Sequence, residues 1–130
     1  MEELTISVTA GPSHTLVTVA GECDLHTGRQ LRDVLTSEVS RGVRRLIVDL
    51  SGLGFMDSTG MQVLLSVRAV LTVRGGTVAL VSPQPVVARI LELTGADQVI
   101  PVYDTLQDAQ TARPPTEPGA TGRAPGGTPG

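Results

Sequence analysis

The segment from Leu46 to Leu65 constrains the fold of this chain more than any other. Leu46 to Leu50 is an apolar run broken only by Asp49, the pattern of a central strand covered on both faces. Ser51-Gly52-Leu53-Gly54 then reads as a Gly-rich turn. It delivers Asp57-Ser58-Thr59-Gly60 to the start of a helix running from about Ser58 to Arg74. That helix is apolar nearly all round and is expected to be the most buried element. A serine is thereby presented at a helix N-terminus, where the first-turn N–H groups lack partners and the macrodipole favours negative charge. Such a position tolerates a phosphate. From the residues alone, three roles stay open for Ser58: binding a phosphate, carrying one, or capping the helix.

The flanking segments set the architecture. Leu4, Ile6, Val8 and Ala10 alternate with Thr5, Ser7 and Thr9, the pattern of a half-buried strand. Gly11-Pro12-Ser13 turns the chain into a second strand, His14 to Ala20, so that the two form a hairpin closed by Gly21-Glu22-Cys23-Asp24. Thr27-Gly28-Arg29-Gln30 matches a capping box. Leu31, Val34, Leu35 and Val39 follow at helical spacing, and Gly42 sits where a helix stops. Gly75-Gly76 ends the central helix before a buried strand, Val78 to Val81. Ser82-Pro83-Gln84-Pro85 opens a third helix with Val86, Val87, Ile90, Leu91 and Leu93 as its apolar stripe, stopped at Gly95. Val99 to Val102 reads as a last strand, and Asp104 or Thr105 as the cap of a short final helix. The order is ββαβαβαβα, an α/β fold with an N-terminal hairpin, a mixed sheet and helices packed on it. The segments Gly21–Asp24, Phe55–Gly60 and Ser82–Pro85 all fall at carboxyl ends of strands, where open α/β sheets place their sites.

Composition narrows the functions available. The chain has 130 residues and a formal net charge of −3. Arg113, Arg123 and Glu117 leave the tail one unit positive, so residues 1–111 hold −4. With one Tyr, one Phe and no Trp, base stacking is not available, and the charge disfavours nucleic acid and anionic membrane. There is no lysine. That excludes a P-loop and Schiff-base chemistry, and removes a residue that phospho-aspartate receivers use. Cys23 is the single cysteine; it allows no internal disulfide and suits a reducing cytoplasm. No apolar run reaches the ~18 residues of a membrane span, and Met-Glu-Glu-Leu lacks a signal-peptide pattern. Residues 112–130 contain five Pro and five Gly and nothing apolar larger than Ala. They are expected to form a disordered tail after a domain spanning residues 1–111.

These residues together resemble the STAS domain, and within it the small stand-alone anti-sigma factor antagonists. The resemblance rests on Gly21-Glu22-x-Asp24-Leu25, the strand Leu46–Leu50 and, above all, Phe55-Met56-Asp57-Ser58-Thr59-Gly60. Gly75-Gly76 and Leu91-x-Leu93-x-Gly95 add weaker matches, and the whole covers about residues 2–110. It implies a non-enzymatic switch. Ser58 is the residue phosphorylated by an anti-sigma factor that is itself a serine kinase. The unphosphorylated form binds that kinase and frees a sigma factor, and a protein phosphatase resets the cycle. Asp24, Met56, Asp57, Ser58, Thr59 and Gly60 become the expected partner-binding residues, with Gly60 letting a partner approach the backbone. No cofactor or metal is implied, and a homodimer is left open.

The plainer readings are specific. Ser58 is a possible N-cap, and Thr59 with Gln62 a second capping box. Met56 and Met61 are expected partly in the core, Cys23 as a small buried side chain, and His14 and His26 at the surface. A serine hydrolase built on Ser58 lacks the Gly-x-Ser-x-Gly elbow, and both histidines precede the serine. A nucleotide site lacks a Gly-rich phosphate loop. The remaining alternative is a STAS accessory subunit of a membrane lipid or anion transport system, which needs a separate membrane partner.

Overall fold

The computed structural model describes residues 3–112. All of the expected tail except Ala112 lies outside the described residues. The elements run β1 (Thr5–Ala10), β2 (Thr15–Cys23), α1 (Gly28–Ser40), β3 (Arg45–Met56), α2 (Ser58–Val73), β4 (Thr77–Val81), α3 (Pro85–Thr94), a 3₁₀ turn (Ala96–Gln98), β5 (Val102–Tyr103) and α4 (Leu106–Thr111). The five strands form one sheet in sequence order. β1 pairs with β2 antiparallel, and every later pairing is parallel. This is the mixed α/β architecture that the order of elements implied.

Alternation along β3 divides the core. Leu46, Val48 and Leu50 join Leu31 and Leu35 of α1, Leu64 and Leu71 of α2 and Leu91 of α3 in the main cluster. Ile47 points the other way, into a smaller cluster with Val81 and Ala109. Both faces of the strand are therefore covered, which is why its sequence shows no polar alternation over Leu46–Val48. The cover of the second face is the short α4. Arg45 of β3 fastens it, its guanidinium donating to the carbonyls of Ala109 and Gln110 and, at 3.2 Å, of Ala112. These are carbonyls of the helix's last turn, which lack partners within the helix.

Several elements depart from the sequence reading, each for a tertiary reason. β3 does not stop at Leu50. The glycine-containing segment after it continues as strand to Met56, pairing with Ala20–Cys23 of β2 through two register shifts. β2 likewise runs on to Cys23. β1 is less buried than its alternation suggests: Ile6 is half-buried, while Val8 is 41% exposed at the sheet edge. α2 buries one face only, with Val70 and Val73 open to solvent. In α3, Val87 and Leu91 are buried but Val86 and Leu93 are exposed. The last strand begins at Val102. The N–H groups of Val99 and Ile100 close back on the Ala96 carbonyl, and Pro101 has no N–H to give a ladder. Among the described residues, no helix is long and apolar enough to cross a membrane.

Candidate functional site

The extended ends of β2 and β3 build the site. Glu22 pairs with Phe55 and Cys23 with Met56. One step further, the Asp57 N–H donates to the Cys23 carbonyl at 3.0 Å. The two strands therefore finish together, and the turns that follow them stand side by side.

After β3, Asp57 adopts an extended conformation and caps α2. Its Oδ1 accepts the Thr59 N–H at 2.9 Å and the Gly60 N–H at 3.4 Å. Asp57, rather than Ser58, is thus the N-cap, and Ser58 is the first helical residue. The consequence is chemical. Ser58 is exposed, and its hydroxyl has no hydrogen-bond partner among the described residues. The Thr59–Gln62 capping box does not form either, because Thr59 is already inside the helix.

After β2, Asp24 organises a tight turn. Its Oδ1 accepts from the N–H of His26 at 2.9 Å and of Thr27 at 3.0 Å. The Thr27 N–H, with the Thr27 hydroxyl and the His26 N–H, holds the Asp24 carboxyl below its usual range. The Thr27 hydroxyl accepts the Asp24 N–H and shares its one proton between the Glu22 carbonyl at 2.8 Å and Asp24 Oδ1 at 3.1 Å. It is therefore not the capping box that the sequence suggested. Gln30, the box's other half, donates instead to the Leu4 carbonyl at 3.0 Å.

Two glycines bring the parts into contact. A Cβ on Gly60 would lie 2.7 Å from Met56 Cγ and 2.8 Å from Cys23 Sγ. A Cβ on Gly28 would lie 2.7 Å from the methyl of Thr59. The N-termini of α1 and α2 therefore converge. This corrects one expectation. Met56 is fully buried, so it supports the site from below and presents nothing to a partner. Gly60 is buried as well, and the space left by its missing side chain is taken by Met56 and Cys23. Asp24, Asp57 and Thr59 are half-buried and Ser58 is exposed, at one end of the sheet. Cys23 is buried as expected. Burial, then the charges of Asp57 and Asp24, push its thiol up to about 11, which leaves it neutral and unreactive at ordinary pH.

Hollows flank the two turns. One is lined by Asp24, Leu25, His26, Arg29 and Asp57. The other is a groove of about 550 Å³ between α1 and α2, lined at its mouth by Ser58, Thr59, Gln62 and Arg32 and deeper by Val63 and Val67. Sequence reasoning did not single out Leu25, which is 80% exposed, or Phe55, which is 42% exposed. Both lie within the segments that carry the resemblance, and an apolar side chain beside a polar turn was the available signal.

The STAS domain model matches residues 5–109, and the chain belongs to that family. It is 31% identical over 97 residues to the anti-sigma F factor antagonist of Paenibacillus polymyxa, covering 74% of this chain and 83% of that protein. It is 29% identical over 112 residues to the anti-sigma-F factor antagonist RsfB of Mycobacterium tuberculosis, covering 85% and 89% of the two chains. The crystal structure of an anti-sigma factor antagonist from Mycobacterium paratuberculosis superposes with a TM-score of 0.78 at 31% identity, covering 84% of this chain and 92% of that one.

Proposed function

We propose that this chain is an anti-sigma factor antagonist whose binding is switched at Ser58. Unphosphorylated, it binds an anti-sigma factor that is a serine kinase, and the sigma factor is released. Phosphorylation of Ser58 by that kinase ends the interaction, and a phosphatase restores it. The protein acts by binding and catalyses no reaction of its own. The names of its relatives support the antagonist role.

One observation carries the phosphorylation reading. Asp57 performs the capping that would otherwise occupy Ser58, so the serine hydroxyl is exposed and unengaged by any described residue. Had Ser58 been the cap, its oxygen would have been committed to a backbone N–H. The contact surface around it is formed by Asp24, Leu25, Phe55, Asp57 and Thr59, with the apolar Leu25 and Phe55 supplying the area that leaves water. The test is intact and peptide mass spectrometry after incubation with candidate anti-sigma kinases and ATP. A single phosphate on Ser58 is expected, and none on Ser58→Ala. Labelling confined to another residue would overturn the assignment.

A further inference from the structure

α1 carries two arginines near the serine, and they differ in what surrounds them. Arg29 lines the hollow that holds two carboxylates, Asp24 and Asp57, together with His26. Arg32 lines the groove that contains Ser58. Its recorded ion pair is with its neighbour Asp33, at 3.8 Å with side-chain exposures of 58% and 69%, long and solvated enough to be readily exchanged. Helix geometry aims Arg32 at the serine. A Cβ on Gly28 would meet the Thr59 methyl, so that face of α1 lies against Thr59, and Arg32, four residues on, stands on the same face one turn along. Helical side chains lean back toward the N-terminus, which carries the guanidinium toward Thr59 and Ser58.

We propose that Arg32 receives the phosphate once Ser58 is phosphorylated, drawing it across the mouth of the α1–α2 groove. This rests on the reading of Ser58 as the acceptor. A phosphoserine brings about −1.5 to −2 charge and strong acceptor oxygens, and a guanidinium fork matches them in geometry and charge. The carboxylates of Asp57 and Asp24 line the neighbouring hollow and repel the group, which favours a swing toward Arg32. The latch closes the groove and conceals part of the partner surface, while neutralising some of the added charge within the domain.

The test places phosphoserine at position 58 during translation, so that no kinase is needed, and titrates the full-length protein by phosphorus NMR. The second ionisation of free phosphoserine lies near pH ~6. A neighbouring guanidinium should lower it by about half to one unit, and Arg32→Gln should restore it. Arg29→Gln should move it less than Arg32→Gln does. Arg32 is exposed, so amide spectra of the variant should show an intact fold. Superimposable titrations of wild type and Arg32→Gln, or a larger effect from Arg29→Gln, would overturn the proposal. Failure of every kinase to label Ser58 would instead defeat the functional reading, and the titration would be unaffected.

Discussion

Asp57 caps the central helix from the position immediately before Ser58, and by accepting the Thr59 N–H at 2.9 Å it leaves the Ser58 hydroxyl without a partner among the described residues. The two residues divide one task that either could have performed. Asp57→Ala should lower stability by about 1 kcal/mol, the usual worth of an N-cap, whereas Asp57→Asn should keep most of it. Urea unfolding of the three proteins checks this. An alanine variant as stable as wild type would mean that the cap contributes nothing.

Gly60→Ala should destabilise by about 1–3 kcal/mol. The added methyl would stand 2.7 Å from Met56 Cγ and 2.8 Å from Cys23 Sγ, in a place where neither the strand ends nor the helix can retreat cheaply. Thermal unfolding is the measurement. An unchanged melting temperature would show that the strand ends yield.

Leu64 and Leu65 are adjacent in sequence but unequal in burial. Leu64 is fully buried in the main core, and Leu65 is only partly buried against it. Leu64→Ala should cost ~2–5 kcal/mol, and Leu65→Ala clearly less. Equal losses in denaturant unfolding would contradict the one-sided burial of α2.

Cys23 predicts a pH dependence. Its thiol rises from an ordinary 9.0 to about 11 in the folded protein, so folding favours the neutral form. The contribution is complete below about pH 9 and is lost as pH climbs through about 11. A shift of that size corresponds to roughly 2–3 kcal/mol. Cys23→Ala should therefore show a flatter stability profile than wild type between those limits, whatever its constant offset. Parallel profiles would remove the buried thiol from the account.

What the sequence revealed and what it concealed divide along the range of the interactions. The hydrophobic runs of β3 and β4 and the order of elements were legible because burial writes itself into local pattern. The continuation of β3 through Ser51-Gly52-Leu53-Gly54 was not, since serine and glycine signal turns and only pairing with Ala20–Cys23 holds that segment extended. Thr27 and Gln30 have the spacing of a capping box, yet distant carbonyls, of Glu22 and Leu4, compete successfully for them. At the site, Asp57 and Ser58 are equally good caps by composition, and backbone geometry decided between them. The nearness of Asp24 was legible only in outline, from its place at the carboxyl end of a strand and from the resemblance, because strand pairing, not sequence distance, brings it there. The reason for Gly60 was hidden altogether, since Met56 and Cys23 meet it only in the folded chain.

The central claim is that one phosphate on Ser58 controls binding. The phosphate adds its charge beside Asp57 and Asp24, and Arg32 offsets that charge only in part. Two unit charges ~4 Å apart interact by about 1 kcal/mol in water and about 4 at an effective dielectric of ~20. Calorimetric titration of the anti-sigma kinase with the unphosphorylated and the Ser58-phosphorylated protein tests this directly. The account predicts an affinity roughly ten- to a thousandfold weaker after phosphorylation, with Ser58→Ala binding as tightly as the unmodified protein. Equal affinity for the two forms would contradict it.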